Sequence, residues 1–144
     1  MNTDFVLYIS TVYRLLTVRM AYTSDMEGLG NYEREERPWG LFERFTWNEQ
    51  TTVKLVTVAP GEAFSLQTHE HRDEFWRVVA GSGRVTVGEE ERQAGVGDNF
   101  YTPRGTKHRA QGGPQGLTLL EIAFGTFDEG DITRLDDRYG RVGQ

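Results

Sequence analysis

A chain of 144 residues is long enough for one domain with a single sizeable core, and for little more. Its 16 basic and 22 acidic residues leave a net charge of −6, which argues against nucleic acid or an anionic membrane as the main partner, because both need a basic surface. The sequence has no cysteine, which excludes disulfides, thiolate zinc sites and cysteine nucleophiles.

The first 36 residues are predicted to be an N-terminal extension and polar lead-in, followed by a single domain over residues 37–144. Apolar residues occur at 5–9 and 12–18, but Arg14 and Arg19 interrupt them, and no run approaches the roughly 18 residues of a membrane span. Met20 is a plausible true start. Residues 1–19 would then be an extension outside the fold. The alternative is that they form an extra strand or an arm across a partner subunit, and we assign them no function.

Short apolar segments follow Pro38, separated by turn residues at a spacing of roughly ten residues. They are rich in Val, Thr, Phe, Tyr and Trp, which favour β-strands. The predicted strands are Leu41–Trp47, Thr52–Val58, Glu74–Ala80, Arg84–Val87, Asn99–Thr102 and Leu117–Phe124. No segment after residue 40 keeps a helical apolar period over three turns, so the sequence predicts an all-β domain.

Glycine and proline mark the predicted breaks between these strands. The breaks are Pro60–Gly61, Gly81–Gly83, Gly95–Gly97, Pro103–Gly105 and Gly112–Pro114. Many short strands with regular turns are typical of a β-sandwich or a small barrel. The charged tail, residues 128–144, is predicted to pack as a short irregular or helical cap.

The three histidines of the chain, His69, His71 and His108, are the main candidates for chemistry. Gln67, His69 and His71 alternate along an extended segment, which predicts that their side chains share one face. Glu74 follows them closely, and His108 comes after the turn at Pro103–Gly105. Imidazoles combined with a carboxylate and an amide or a third imidazole suit zinc, manganese, iron, cobalt or nickel, whereas calcium prefers oxygen ligands.

Two windows of the chain resemble the paired motifs of the cupin superfamily, whose members are small antiparallel jelly-roll barrels around one metal. The residues that match are Gly61, Gln67, His69, Glu74 and Gly81 in the first window and Gly97, Pro103, Gly105 and His108 in the second. If His69 and His71 took the two ligand positions of the first motif, Glu74 would follow the second ligand too closely in sequence, and Gly61 would precede the first ligand by too many residues. The resemblance therefore implies the ligands Gln67, His69, Glu74 and His108, with His71 as a further ligand or a neighbour of the substrate.

Further segments are similar to the type II phosphomannose isomerase domain over about residues 37–141. They include Arg37–Gly40, Leu66–Arg72, Glu74–Trp76, Pro103–Arg109 and Asp131–Arg141. The resemblance implies a cytoplasmic isomerase that interconverts mannose 6-phosphate and fructose 6-phosphate with a divalent metal, typically zinc. A homodimer is expected from the family and because small barrels often protect their sheet edges by pairing. No segment matches the guanylyltransferase half that often accompanies this domain.

Such an isomerase needs a base that carries a proton between C1 and C2 and a cation that holds the phosphate. His71, Lys54 and Glu121 are the candidates for the base, although Lys54 and Glu121 could equally be solvent-facing charges on strands. The candidates for the phosphate are Arg72, Arg104, Lys107, Arg109 and Arg134. Trp76 is expected either against the metal pocket or in the barrel core.

Two departures from the family pattern concern the pocket wall rather than the metal. Gly112–Pro114 stands where the family usually has an asparagine followed by Pro-Gly, and no glutamine follows the segment Glu121–Ala123. Two other functions therefore stay open. One is a non-catalytic module that binds a sugar or sugar phosphate. The other is a metal-dependent cupin oxygenase, which would favour three histidine ligands and against which Gln67 mildly argues.

Overall fold

The computed structural model describes residues 26–144, which form nine β-strands. The strands are β1 (Glu33–Arg37), β2 (Gly40–Arg44), β3 (Thr51–Val58), β4 (Leu66–Thr68), β5 (Arg72–Val87), β6 (Glu90–Gly95), β7 (Asn99–Thr102), β8 (His108–Gly125) and β9 (Thr133–Asp136). All strand pairs are antiparallel, which confirms the predicted all-β jelly-roll class. The predictions for residues 1–25, including a start at Met20, concern residues outside the described part of the chain.

The two longest strands, β5 and β8, organise the molecule. They pair along most of their length, and the main sheet runs in the order β6-β5-β8-β4-β9, with β3 on β8 and β7 on β5. β1 and β2 form a separate two-stranded hairpin. Because β8 contacts β3, β4 and β5, it brings residues that are far apart in sequence to one interior.

Two of the predicted breaks are bulges inside continuous strands. The predicted strands Glu74–Ala80 and Arg84–Val87 are one strand, β5, whose register shifts between Gly81 and Gly83. Gly112–Pro114 likewise lies within β8. A Cβ on Gly83 would lie 2.0 Å from the Gln111 carbonyl oxygen, so glycine is required here for close approach of two strands rather than for a chain reversal.

The tail and the shorter strands also differ from the sequence-based expectation. Residues 133–136 form β9, which pairs with β4, so the tail is neither irregular throughout nor helical. β1 and β6 were not predicted, because both are rich in charged residues, and β4 is shorter than the extended segment predicted to carry Gln67, His69 and His71. Within residues 26–144, no helix has the length and apolarity needed to cross a membrane.

Apolar side chains form two clusters on opposite faces of β5 and β8. The cluster inside the barrel comprises Val58, Trp76, Val78, Val85, Ala94, Phe100, Ala110, Leu117 and Leu119. The second cluster packs Met26 and Leu29 against Phe75 and Ile122 on the outer face. The end of the predicted lead-in thus contributes buried side chains to the core, while the proposed domain boundary at residue 36 stays a prediction.

Candidate metal centre

Three buried side chains meet at one end of the barrel interior. His69 follows β4, Glu74 lies in β5 and His108 begins β8. One ligand atom from each lies within 4.8 Å of the others, and each residue is no more than 2% exposed. The antiparallel pairing of Gln67 with His108 sets β4 beside the start of β8, which explains how ligands from distant segments come together.

Hydrogen bonds to the backbone orient both imidazoles. His69 Nδ1 donates to the Asp131 carbonyl at 2.5 Å, and His108 Nδ1 donates to the Thr106 carbonyl at 2.9 Å. Each ring therefore presents the lone pair of Nε2 when it is neutral. His69 Nε2 lies 3.2 Å from Glu74 Oε1, and His108 Nε2 lies 3.4 Å from Glu74 Oε2.

The donor atoms of this cluster fit a divalent cation. Glu74 Oε2 and His108 Nε2 are both buried and have no hydrogen-bond partner. A carboxylate oxygen facing a nitrogen lone pair is unfavourable unless a cation or a proton lies between them. Two imidazole nitrogens and a carboxylate are ligands that zinc and neighbouring transition metals accept. The cluster His69, Glu74 and His108 can therefore hold a metal ion.

Gln67 and Arg72 border the cluster. Gln67 Nε2 lies 3.3 Å from His69 Nε2, while its amide oxygen accepts a hydrogen bond from the Ser65 hydroxyl at 2.8 Å. Arg72 Nε donates to Glu74 Oε1 at 2.8 Å, and Arg72 Nη2 donates to His69 Nε2 at 3.1 Å. Gln67 thus lies beside the cluster, with its amide nitrogen towards His69 and its amide oxygen towards Ser65, and its assignment as a fourth ligand stays a prediction.

Burial and charge keep His69 and Glu74 in the protonation states that metal binding requires. Burial lowers the pKa of His69 below its ordinary value of 6.5, with the nearby Glu74 carboxylate partly opposing this. Burial alone would raise the pKa of Glu74, but His108, His69 and Arg72 outweigh it and lower the pKa to about 2. Near neutral pH, Glu74 is a carboxylate and His69 is a neutral imidazole.

His71 does not share the face of Gln67 and His69, contrary to the prediction from alternation. β4 ends at Thr68, and residues 70 and 71 form a bend. The His71 side chain is exposed, and its backbone N–H donates to Asp131 Oδ2 at 3.1 Å. Strict alternation of side chains applies only while the chain stays extended.

Lys54 and Glu121 face the barrel interior. They are cross-strand partners between β3 and β8, and Glu121 is in turn the partner of Trp76 in β5. Lys54 Nζ lies 3.0 Å from Glu121 Oε1, and the Glu121 side chain is only 8% exposed. Burial, and then the charge of Glu74, raise the pKa of Glu121, while Lys54 partly opposes the shift.

The predicted phosphate-binding cations lie in different places. Arg104 pairs with Asp73, whereas the two neighbours of Asp73 in β5, Arg72 and Glu74, point into the barrel. Arg109 is bonded to the Phe64 carbonyl and to Asp136. Lys107 pairs with the exposed Glu89.

Arg134 of β9 is the cross-strand partner of Gln67, which pairs with His108 on its other side. Side chains at paired positions stand on the same face, so Arg134 is on the face of the metal cluster. Its Nη1 donates to the Gln144 carbonyl at 2.9 Å, while its Nε is buried without a hydrogen-bond partner.

Trp76 lies both in the barrel core and against the metal cluster, the two positions that the sequence left open. It is 1% exposed in the barrel core, and its ring also meets the His108 ring edge-on at 5.2 Å between centroids. Asp131 and Phe127 were not predicted to act at the site. The Phe127 ring lies 4.7 Å from the Arg72 guanidinium and 4.6 Å from Lys54 Nζ. Neither residue belongs to a local pattern with the ligands, because more than fifty residues separate each from His69 and Arg72 in sequence.

A family model described as mannose-6-phosphate isomerase C-terminal matches residues 25–137. The mannose-1-phosphate guanylyltransferase ManC of Salmonella typhimurium is 43% identical over 108 residues, which are 74% of this chain and 22% of that protein. The xanthan biosynthesis protein XanB of Xanthomonas campestris is 41% identical over 108 residues, 74% of this chain and 23% of that protein. The chain thus spans less than a quarter of the length of these curated relatives.

Solved structures share the fold at lower identity. KdgF from Halomonas sp. aligns with a TM-score of 0.53 and 22% identity over 60% of this chain and 78% of that one. Pac13 from Streptomyces, described as a nucleoside dehydratase, aligns with a TM-score of 0.54 and 20% identity over 76% of this chain and 88% of that one. At such identities the likeness concerns the barrel and not the reaction.

Proposed function

The chain belongs to the mannose-6-phosphate isomerase C-terminal family, and from this membership we propose that it is a metal-dependent mannose-6-phosphate isomerase or a closely related sugar-phosphate aldose–ketose isomerase. The observation that carries the proposal is the position of a buried carboxyl group, Glu121, in the same interior as the His69, Glu74 and His108 cluster. A metal cluster beside a separate proton carrier is what an isomerisation through an enediolate requires.

The proposed ligands are His69, Glu74 and His108, with Gln67 in the fourth position and zinc as the metal. A bound metal ion would polarise the sugar carbonyl and stabilise the negative charge that develops on its oxygen. The support for Gln67 is its position beside His69, 3.3 Å from Nε2. Trp76 and the barrel core close the pocket behind His108, which limits access of water from that side.

Glu121 is the proposed base that moves the proton between C1 and C2. Burial raises the pKa of Glu121 towards neutral pH. A group whose pKa lies nearer the working pH can both accept and return a proton. Lys54 would hold the carboxylate in place through their ion pair at 3.0 Å. His71 is the less favoured base because its side chain is exposed beyond the end of β4.

Arg134 is the proposed phosphate ligand. It shares the face of Gln67 and His108, and its buried Nε has a free hydrogen-bonding capacity that a phosphate oxygen could take. Arg72 is engaged with Glu74, His69 and the carbonyls of Asp128 and Asp131, so it is proposed to organise the ligands rather than to bind phosphate. The ion pairs of Arg104 and Arg109 make them weaker candidates.

The test begins with the metal content of the purified protein and continues with the conversion of mannose 6-phosphate to fructose 6-phosphate in a coupled assay after that metal is restored. We expect turnover, together with incorporation of solvent deuterium at C1 of the fructose 6-phosphate product, because the proton removed from C2 of mannose 6-phosphate is replaced at C1. Binding of sugar phosphate without any turnover would overturn the isomerase proposal in favour of a binding module. Metal-dependent oxygen uptake would overturn it in favour of an oxygenase. The homodimer and the cytoplasmic location stay predictions.

A further inference from the structure

The segment between β8 and β9 contacts the side of the metal centre that carries His69 and Arg72. The backbone carbonyl of Asp131 accepts hydrogen bonds from His69 Nδ1 at 2.5 Å and from Arg72 Nη1 at 3.1 Å. The Asp128 carbonyl accepts a second bond from Arg72 Nη1 at 3.0 Å. One residue of the tail therefore fixes the ring orientation of a proposed metal ligand and the guanidinium that contacts two of the ligands.

The side chain of Asp131 binds the backbone that directly follows His69. Its Oδ1 accepts the backbone N–H of Glu70 at 2.8 Å, and its Oδ2 accepts that of His71 at 3.1 Å. These two amides form the bend that directly follows His69. The Asp131 side chain is only 7% exposed, so water has little access to the two amides as a substitute acceptor.

We infer that Asp131 is a positioning residue of the metal centre, which clamps the bend after His69 so that its own carbonyl receives the His69 Nδ1–H and Nε2 faces Glu74. The carboxylate fixes the distance between the two segments, and the carbonyl then selects the imidazole tautomer. Groups that orient a ligating histidine through its second nitrogen raise metal affinity, because the ring need not be ordered when the metal arrives. The inference rests on the metal-binding part of the proposed function and is independent of the isomerase reaction.

The chain offers a matched control for this role. Asp137 lies in the same tail, its side chain is fully buried, and its carboxylate accepts bonds from Arg141 N at 2.9 Å and Arg141 Nη2 at 2.8 Å. All of these partners are local. Asp137→Ala therefore removes a buried, bonded carboxylate from the tail without touching the segment that carries His69.

The experiment measures zinc affinity of the full chain by competition with a chromogenic chelator, in the absence of sugar. Asp131→Ala is expected to bind zinc about 10–100-fold more weakly than the wild type, whereas Asp137→Ala is expected to keep the wild-type affinity. Asp131→Asn retains one acceptor oxygen, and its zinc affinity is expected to lie between those of Asp131→Ala and Asp137→Ala. It also serves as the test variant if Asp131→Ala does not fold.

A second readout separates positioning from a loss of stability. Long-range ¹H–¹⁵N spectra of the metal-free protein are expected to report the Nδ1–H tautomer of His69 in the wild type and in Asp137→Ala, and a mixture of tautomers in Asp131→Ala. Wild-type zinc affinity in Asp131→Ala or Asp131→Asn, or an equal loss in Asp137→Ala, would overturn the inference. A wild type that binds zinc but does not convert sugar phosphate would overturn only the isomerase proposal.

Discussion

Lys54 Nζ lies 3.0 Å from Glu121 Oε1, and the carboxylate end of this ion pair is buried: the Glu121 side chain is 8% exposed and that of Lys54 is 33% exposed. Glu121 is a cross-strand partner both of Lys54 in β3 and of Trp76 in β5, so it occupies the centre of a three-strand row beside the metal cluster. The burial that makes this carboxyl group costly to ionise also makes it a usable proton carrier.

Glu121→Gln is expected to lower the rate constant kcat for isomerisation by about 10²–10⁴-fold, because an amide cannot carry the proton. Zinc content should not change, since Glu121 is outside the ligand cluster. Glu129→Gln is the control, because Glu129 lies 3.9 Å from the same lysine but its side chain is 80% exposed. Wild-type kcat in Glu121→Gln would exclude Glu121 as the base.

The same substitution is expected to change how stability depends on pH. The pKa of Glu121 is raised above its ordinary value of 4.5, so between the two values the folded state binds more protons than the unfolded state. This group therefore reduces the free energy of unfolding as pH rises from 4.5 through the folded pKa. Metal-free Glu121→Gln should lack this loss and should therefore gain stability relative to the wild type as pH rises above that range. Urea unfolding at several pH values measures the difference, and equal pH slopes in both proteins would contradict it.

Replacement of His69 by alanine is expected to abolish stoichiometric zinc binding, whereas His71→Ala should retain it. The two residues lie two positions apart, but His69 is 2% exposed and aims Nε2 at Glu74, while His71 is exposed in the bend. Loss of the His69 imidazole removes a proposed ligand and leaves the buried Glu74 carboxylate without its cation. Metal analysis after dialysis gives the stoichiometry. Retained zinc in His69→Ala would show that the ligand set is wrong.

Arg134→Gln is expected to raise KM for mannose 6-phosphate by about 10–100-fold, since a charge-assisted hydrogen bond contributes about 1.5–3 kcal/mol. The effect on kcat should be smaller, because phosphate binding is remote from the reacting carbons. Arg104→Gln is the control, because Arg104 is exposed and paired with Asp73 on the outside of the barrel. If Arg104→Gln raises KM and Arg134→Gln does not, the phosphate site lies elsewhere.

Trp76→Ala is expected to destabilise the protein by about 3–5 kcal/mol, which is typical of removing a large buried aromatic side chain. Trp76 is 1% exposed and contacts the rings of His108 and Phe64, so zinc binding should weaken as well. Trp39→Ala is the control because Trp39 is 73% exposed, and its effect should stay within about 0.5 kcal/mol. Denaturant unfolding of the metal-free variants provides both values, and equal losses would contradict the assignment of Trp76 to the core.

Much of the fold class, and the clustering of His69, Glu74 and His108, could be predicted from local features of the sequence. Strand-forming residues between glycine and proline turns indicated an all-β domain, and the spacing of His69, Glu74 and His108 matched a known pair of motifs. Such features depend on short-range geometry, in which turn length and side-chain alternation decide where a residue points. The predictions were wrong where this local geometry changed, as at Gly81–Gly83, which is a bulge, and at His71, which lies in a bend.

The sequence by itself determined the all-β class and the spacing that assigns Gln67, His69, Glu74 and His108 to one pair of metal motifs. Only the tertiary structure decided that Glu121 faces inward beside it, that Arg134 of β9 stands next to Gln67, and that Asp131 holds His69 from 62 residues away. These relationships depend on strand pairing across distant parts of the chain, whose register follows from the packing of the whole barrel. Hydrogen bonds over such separations leave no period or spacing in the sequence from which they could be read.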